Sequence, residues 1–126
     1  MNATAKESDN PIESLGRHLL IDFNNCDPVM LDTEDQIRDI LLSSARACAA
    51  TILEYSFHHF SPQGVSGVVL IAESHISIHT WPENHYAAVD IFTCGTRVDP
   101  YKAYEYIKMM FDTEDVFLRD IGRGTL

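Results

Sequence analysis

Positive charge is scarce in this chain. Nine Lys and Arg stand against nineteen Asp and Glu among 126 residues, for a formal net charge of −10. Nucleic-acid binding needs Lys and Arg clustered against phosphates. Here the basic residues are few and scattered, which argues against nucleic acid as a partner. Long apolar runs are also missing, since none reaches the roughly 18 residues that a membrane span requires. The opening residues, MNATAKESDNPIES, are polar and acidic, unlike a signal peptide or an Arg-rich transit peptide. Residues 1–14 are therefore expected to form a disordered tail, and residues 15–126 a single domain. Cysteine is limited to Cys26, Cys48 and Cys94. An odd count without a secretory signal points to free thiols in a reducing, cytoplasmic compartment. Lysine is rarer still, with only Lys6, Lys102 and Lys108.

What is present is strand-like patterning broken twice by helical periodicity. GRHLLIDF (16–23) reads as a strand and NNCDP (24–28) as a turn. Residues 33–48 read as a helix, with Asp32 or Thr33 as cap and the acids Glu34 and Asp35 in its first turn. Further strands are expected over 51–60, 65–72, 75–81 and 86–94. A second helix opens at Asp99-Pro100, with Tyr104, Ile107, Met110 and Phe111 as its apolar stripe. A last strand covers 116–121. The order β-α-β-β-β-β-α-β, with short turns between neighbouring strands, implies antiparallel pairing. The expected class is α+β, a two-layer sandwich with two helices covering one face of the sheet.

The densest chemistry lies in AESHISIHTW (72–81). His75 and His79 have the spacing of a helical metal chelate, yet the Ile-Ser-Ile alternation places them on a strand, about 13 Å apart. With no CxxC pair and no HExxH, no metal is expected. GxSxG is absent as well, so a hydrolase of that type lacks its nucleophile turn. Cys94 stands at a strand end before Gly95, where it is either a small buried hydrophobe or a reactive thiol. An unperturbed thiol, with a pKa of about 8.5, is still protonated near neutral pH and can donate. The Glu73–Ser74 bond offers another chemistry. A serine hydroxyl can attack its own preceding carbonyl when the backbone is strained, turning the amide into an ester. Loss of the serine α-proton then expels the carboxylate, and loss of ammonia to water leaves a pyruvoyl group. Such a ketone condenses with a substrate amine and acts as an electron sink, which suits a chain with so little lysine.

Residues 57–83, FHHFSPQGVSGVVLIAESHISIHTWPE, together with LGRHLL (15–20), Cys26-Asp27, YAAVDIFTCG (86–95) and VDPYKAYEY (98–106), closely resemble the prokaryotic S-adenosylmethionine decarboxylase proenzymes. The resemblance covers most of residues 15–121. It implies self-cleavage between Glu73 and Ser74 into chains 1–73 and 74–126 that stay associated, with Ser74 becoming a covalent pyruvoyl cofactor. It implies that His79 takes the Ser74 α-proton and that Ser66 hydrogen-bonds the cleavage intermediate. It casts Cys94 as the acid that reprotonates the decarboxylated carbon, and places Phe60, Trp81 and Glu83 at the substrate. The expected partners are S-adenosylmethionine and a second cleaved protomer, with the active site at the dimer interface. The product would be the aminopropyl donor of spermidine synthesis. Two alternatives remain open: a pyruvoyl decarboxylase of arginine or ornithine, and an uncleaved, inactive relative. The chain departs from the family pattern at Asn84-His85, where Tyr-Gly is usual, and in its extra N-terminal residues. On a regular strand Ser74 and His79 would lie about 16 Å apart on opposite faces. Either the chain bends between them or a second subunit completes the site.

Overall fold

A computed structural model describes residues 4–8 and 14–124. Seven strands form one sheet in the order β1-β7-β2-β6-β5-β4-β3. They are β1 (Thr4–Ser8), β2 (Gly16–Phe23), β3 (Ile52–His59), β4 (Val65–Ile71), β5 (Ser74–Trp81), β6 (Tyr86–Cys94) and β7 (Val116–Arg123). From β2 to β7 every pairing is antiparallel. The sequence expectation holds six strands; the seventh, β1, runs parallel to β7 at the edge, with Thr4 opposite Val116. It occupies part of the stretch expected to be a tail.

Among the described residues, three α-helices accompany the sheet, α1 (Pro28–Leu31), α2 (Glu34–Ala47) and α3 (Pro100–Phe111), with a single 3-10 turn at Pro82–Asn84. α2 and α3 cover one face, as the periodicity requires. In α2, Ile37, Ile40, Leu41, Ser44 and Ala45 are buried, and in α3 Ala103, Tyr104, Ile107 and Phe111. Met110, expected in the α3 stripe, is instead exposed. The sheet presents Leu19, Ile21, Phe23, Val69, Ile71, Ile76, Ile78, Val89 and Ile91 to these helices. Burying each such side chain contributes roughly 1.5–3 kcal/mol.

The caps are explicit. Asp99 accepts from the Tyr101 N–H at 3.0 Å, ahead of Pro100 in the first turn of α3. The expected turn over 24–28 runs into α1 at Pro28, a helix that the sequence reading does not include. Asp27 accepts from the Val29 N–H at 2.9 Å and winds the segment into one helical turn. Neither expected cap of α2 acts as one. Thr33 sits at the cap position without a capping bond, its hydroxyl donating to the Val29 carbonyl at 2.7 Å. Asp32 instead accepts from the Gly64 N–H at 2.8 Å. It thereby ties α1 to the loop after β3, where Gly64 takes a φ of +105° that a larger residue would resist.

Candidate active site

β4 and β5 form a hairpin whose turn is Ala72-Glu73, with Ile71 opposite Ser74. Ser74 has a φ of 139°, a value that residues with a Cβ rarely adopt. Such a conformation costs on the order of 1–3 kcal/mol and persists only where the surroundings enforce it. The surroundings here are specific. The Glu73 carbonyl oxygen accepts the Cys94 N–H at 2.9 Å. The Glu73 side chain is buried and ion-paired with Arg97, and its Oε1 accepts the Thr51 N–H at 3.3 Å. The residue before Ser74 is thus clamped at both its carbonyl and its carboxylate. A donor already aimed at the carbonyl is what stabilises negative charge on that oxygen during nucleophilic attack. Cys94 is the exposed thiol of the three, whereas Cys26 and Cys48 are buried. Burial pushes the Cys26 thiol up to about 12 and also raises Cys48, which leaves both unreactive near neutral pH.

A second constellation lies at the far end of β5. Ser66 and His79 are cross-strand partners, and Ser66 Oγ sits 2.7 Å from His79 Nδ1. Both line a cavity of about 240 Å³ with Phe60, Trp81 and Glu83, and with Gln63, Gly64 and Thr80. The Trp81 ring stacks on Tyr86 at 5.3 Å, and Tyr86 in turn donates to Asp22 at 2.6 Å. Thr80 donates to the Leu31 carbonyl at 2.7 Å and accepts the Val65 N–H at 2.8 Å, which locks α1 beneath the cavity floor. A broader groove of about 470 Å³ adjoins it and shares Gln63 and Glu83, but it holds none of the serine, histidine or cysteine candidates.

All eight expected site residues therefore fall into two groups: Glu73, Ser74 and Cys94 at one end of β5, and Ser66, His79, Phe60, Trp81 and Glu83 at the other. β5 does not bend between them, since its register with β6 runs unbroken from Ser74↔Thr93 to Trp81↔Tyr86. Five residues of regular strand separate Ser74 from His79 by about 16 Å. Cys94 is six residues along β6 from Ala88, the cross-strand neighbour of His79, or about 20 Å away.

The helix-free face of the sheet runs between the two ends of β5; by alternation Ser66, His79, Trp81 and Cys94 lie on it, while Ser74 falls at the turn in the row of Ile76 and Thr93. Val68, Leu70, Trp81 and Phe117 are exposed apolar side chains on it. Between them lie His18, bonded to Asp90 at 3.1 Å, and His75, whose ring is 6.5 Å from that of His18. Burial depresses the pKa of His75, and the neighbouring His18 adds to the effect, while Asp90 opposes it. Below an unfolded value of about 6.5 the unfolded chain takes up a proton that the folded one resists. Stability should therefore fall as pH drops from about 6.5 through the lower folded value. Asp90, held low chiefly by the His18 hydrogen bond, adds a second loss only below the ordinary carboxylate range. Thermal melts at pH 7.5 and 5.5 test this: the drop between them should shrink in His75→Asn, and an unchanged drop refutes the assignment.

Several contributors escape sequence reading: Arg97, Thr51, Asp32 and Gln63. Arg97 had one available signal. A buried Glu73 demands a cation, and Arg97 follows Cys94 by three positions in a chain with few bases. The departure at Asn84-His85 puts a side chain on a left-handed backbone position. His85 adopts a left-handed φ of 54°, where the usual glycine is unstrained, and it is held there by bonds to Cys26.

Fold and site together define a two-layer α/β sandwich with its reactive groups arrayed along one central hairpin strand. Residues 17–124 match the S-adenosylmethionine decarboxylase family, and the chain belongs to it. An S-adenosylmethionine decarboxylase proenzyme of Fervidobacterium nodosum is 50% identical over 113 residues, covering 90% of this chain and 82% of that protein. That of Caldanaerobacter subterraneus subsp. tengcongensis is 48% identical over 113 residues, covering 90% and 91%. The crystal structure of the adenosylmethionine decarboxylase from Aquifex aeolicus superposes with a TM-score of 0.85 at 36% identity, over 90% of this chain and 94% of that one. A Trypanosoma brucei AdoMetDC monomer shares the fold, at a TM-score of 0.54 and 15% identity, over 76% of this chain and 42% of that one.

Proposed function

We propose that the chain is a self-cleaving S-adenosylmethionine decarboxylase of the cytoplasm, acting as a pair of cleaved protomers and supplying the aminopropyl donor for spermidine synthesis. The observation that carries this is the Glu73–Ser74 bond. A serine at an unfavourable φ follows a carbonyl already bonded to a backbone donor, in a chain of the decarboxylase family. Cleavage there leaves chains 1–73 and 74–126. They stay associated because the cut falls in a hairpin turn while β5 keeps its bonds to both β4 and β6.

The donor set fits a pyruvoyl group at position 74. Formed there, that group would supply a carbonyl electron sink for a substrate amine and for the charge left when carbon dioxide departs. His79 removes the Ser74 α-proton. To act as a base through Nε2 it must carry its own hydrogen on Nδ1 and donate it to Ser66 Oγ, the atom 2.7 Å away. Ser66 thereby sets the tautomer and keeps its hydroxyl hydrogen free for the cleavage intermediate. The Cys94 thiol delivers a proton to the substrate α-carbon. Phe60 and Trp81 offer aromatic faces to adenine and a sulfonium cation, and Glu83 accepts from ribose hydroxyls.

The two halves of this machinery lie at opposite ends of β5, so each active site takes one half from each protomer. Two features favour that arrangement. The helix-free face is rich in exposed apolar side chains, which mark an interaction surface. The 240 Å³ cavity is also below the roughly 300 Å³ at which small-molecule sites begin, consistent with a pocket closed by a second wall. A two-fold axis lying between two such faces, parallel to the sheets and perpendicular to β5, stacks each end of one β5 over the opposite end of its partner's, forming two equal sites.

Denaturing mass spectrometry of the purified protein, with carbon dioxide release from S-adenosylmethionine, arginine and ornithine, tests the proposal. Two fragments matching a cut at 73/74 and release from S-adenosylmethionine are expected. A persistently uncut chain, or preference for a basic amino acid, overturns it.

A further inference from the structure

Among the described residues, three buried side-chain atoms lack a hydrogen-bond partner: Arg17 Nε, Asp120 Oδ1 and Thr93 Oγ1. Arg17 and Asp120 are satisfied through their other atoms, paired at 3.1 Å, with the Tyr101 hydroxyl donating to Asp120 Oδ2 at 2.7 Å. Thr93 has only one polar side-chain atom, and the residue is 1% exposed. Leaving a buried hydroxyl unpaired is costly, and an uncompensated one in a folded protein calls for a reason.

The register of β6 supplies that reason. Thr93 is the cross-strand neighbour of Ser74. Residues so opposed in an antiparallel pair have Cβ atoms about 4.5–5.5 Å apart. The next residue, Cys94, gives its N–H to the Glu73 carbonyl. The end of β6 thus brings one donor to the Glu73 carbonyl and one unpaired hydroxyl to the register position opposite Ser74, with no bond between the two hydroxyls in the uncut chain.

We propose that Thr93 is a further processing residue: its Oγ1, unpartnered in the uncut chain, accepts a hydrogen bond when the Ser74 hydroxyl turns into its attacking rotamer, and so holds Ser74 Oγ toward the Glu73 carbonyl carbon. This rests on self-cleavage at Glu73–Ser74. In the step it assists, Ser74 Oγ bonds to the Glu73 carbonyl carbon, the Oγ proton passes to the Ser74 nitrogen, and the carbon–nitrogen bond breaks. An ester and an amine result, with no change in oxidation state and nothing consumed. The Cys94 N–H bears the developing charge on oxygen while Thr93 restricts the rotamer of the nucleophile.

The test follows intact mass against time in freshly translated full-length chains. Thr93→Val keeps the shape and removes the hydroxyl; Thr93→Ser keeps the hydroxyl; Thr93→Ala loses both hydroxyl and methyl. Thr93→Val should cleave at least about tenfold more slowly than the parent, the kinetic equivalent of one ordinary hydrogen bond. Thr93→Ser should cleave within about threefold of the parent, and Thr93→Ala as slowly as Thr93→Val or more so. Melting temperatures are compared in the uncleavable Ser74→Ala background, where Thr93→Val should match or exceed Thr93 because an unpaired buried polar atom has been removed. A parent chain that cleaves alongside an equally fast Thr93→Val overturns the Thr93 role alone. Thr93→Ser as slow as Thr93→Ala identifies a packing effect and also overturns it. Should Thr93→Val fold poorly, the serine and alanine variants still decide between hydroxyl and packing. A parent chain that never cleaves overturns the cleavage proposal itself, and the Thr93 role with it.

Discussion

Replacing Ser74 by alanine should leave one uncut chain of 14.2 kDa and abolish carbon dioxide release from S-adenosylmethionine. The loss should be at least about 10⁶-fold, the lower end of enzymatic rate enhancement. On the proposed mechanism the variant removes both the nucleophile that cuts the chain and the atoms from which the electrophile is made. It should remain folded, because alanine keeps the Cβ and opens no core cavity at this half-buried position. The unfavourable φ of 139° persists too, so the melting temperature should stay close to that of the uncut parent. Intact mass and carbon dioxide release measure the outcome together. An Ser74→Ala protein that still splits, or still decarboxylates at the parent rate, would remove the basis for the proposed mechanism.

Mixing two dead variants should restore activity. Ser74→Ala carries an intact His79 and Ser66, while His79→Ala carries an intact Ser74, Glu73 and Cys94. If each site draws one half from each protomer, a mixed pair holds one wild-type site and one doubly mutated site. Equal amounts, unfolded together and refolded, make half of the pairs mixed. Cleavage and decarboxylation should then return to about a quarter of the parent level. Either variant refolded alone should stay inactive. No recovery on mixing would mean that one chain builds its whole site, against the straight run of β5 and the roughly 16 Å it sets between Ser74 and His79.

Much of this architecture was readable from residue order. The alternation of Ile76, Ile78 and Thr80 with His75, Ser77, His79 and Trp81 separates the two faces of β5, because side chains alternate at a period of two. The same rule shows that Ser74 and His79 cannot meet on a regular strand. Pattern did not reveal α1, since its four residues are too few to show periodicity; its single turn depends on the Asp27 cap. Nor did it reveal where Asp32 spends its carboxylate, because the competing donor, the Gly64 N–H, lies 32 positions away. Met110 was misplaced for a similar reason: helical spacing says which residues share a stripe but not how wide a stripe the sheet covers.

The residues alone supply the hairpin, the strand faces, the candidate site residues around Glu73–Ser74 and the family to which the chain belongs. They do so because side-chain alternation, turn composition and a long matched motif are local properties. The clamp on the Glu73–Ser74 bond needs the folded chain. A φ of 139° at Ser74, the Cys94 N–H on the Glu73 carbonyl, Arg97 on its carboxylate and Thr93 opposite Ser74 all arise where segments distant in sequence are brought into register by the packed sheet. Backbone strain and long-range hydrogen bonds are set by that packing, and short-range pattern carries no record of them.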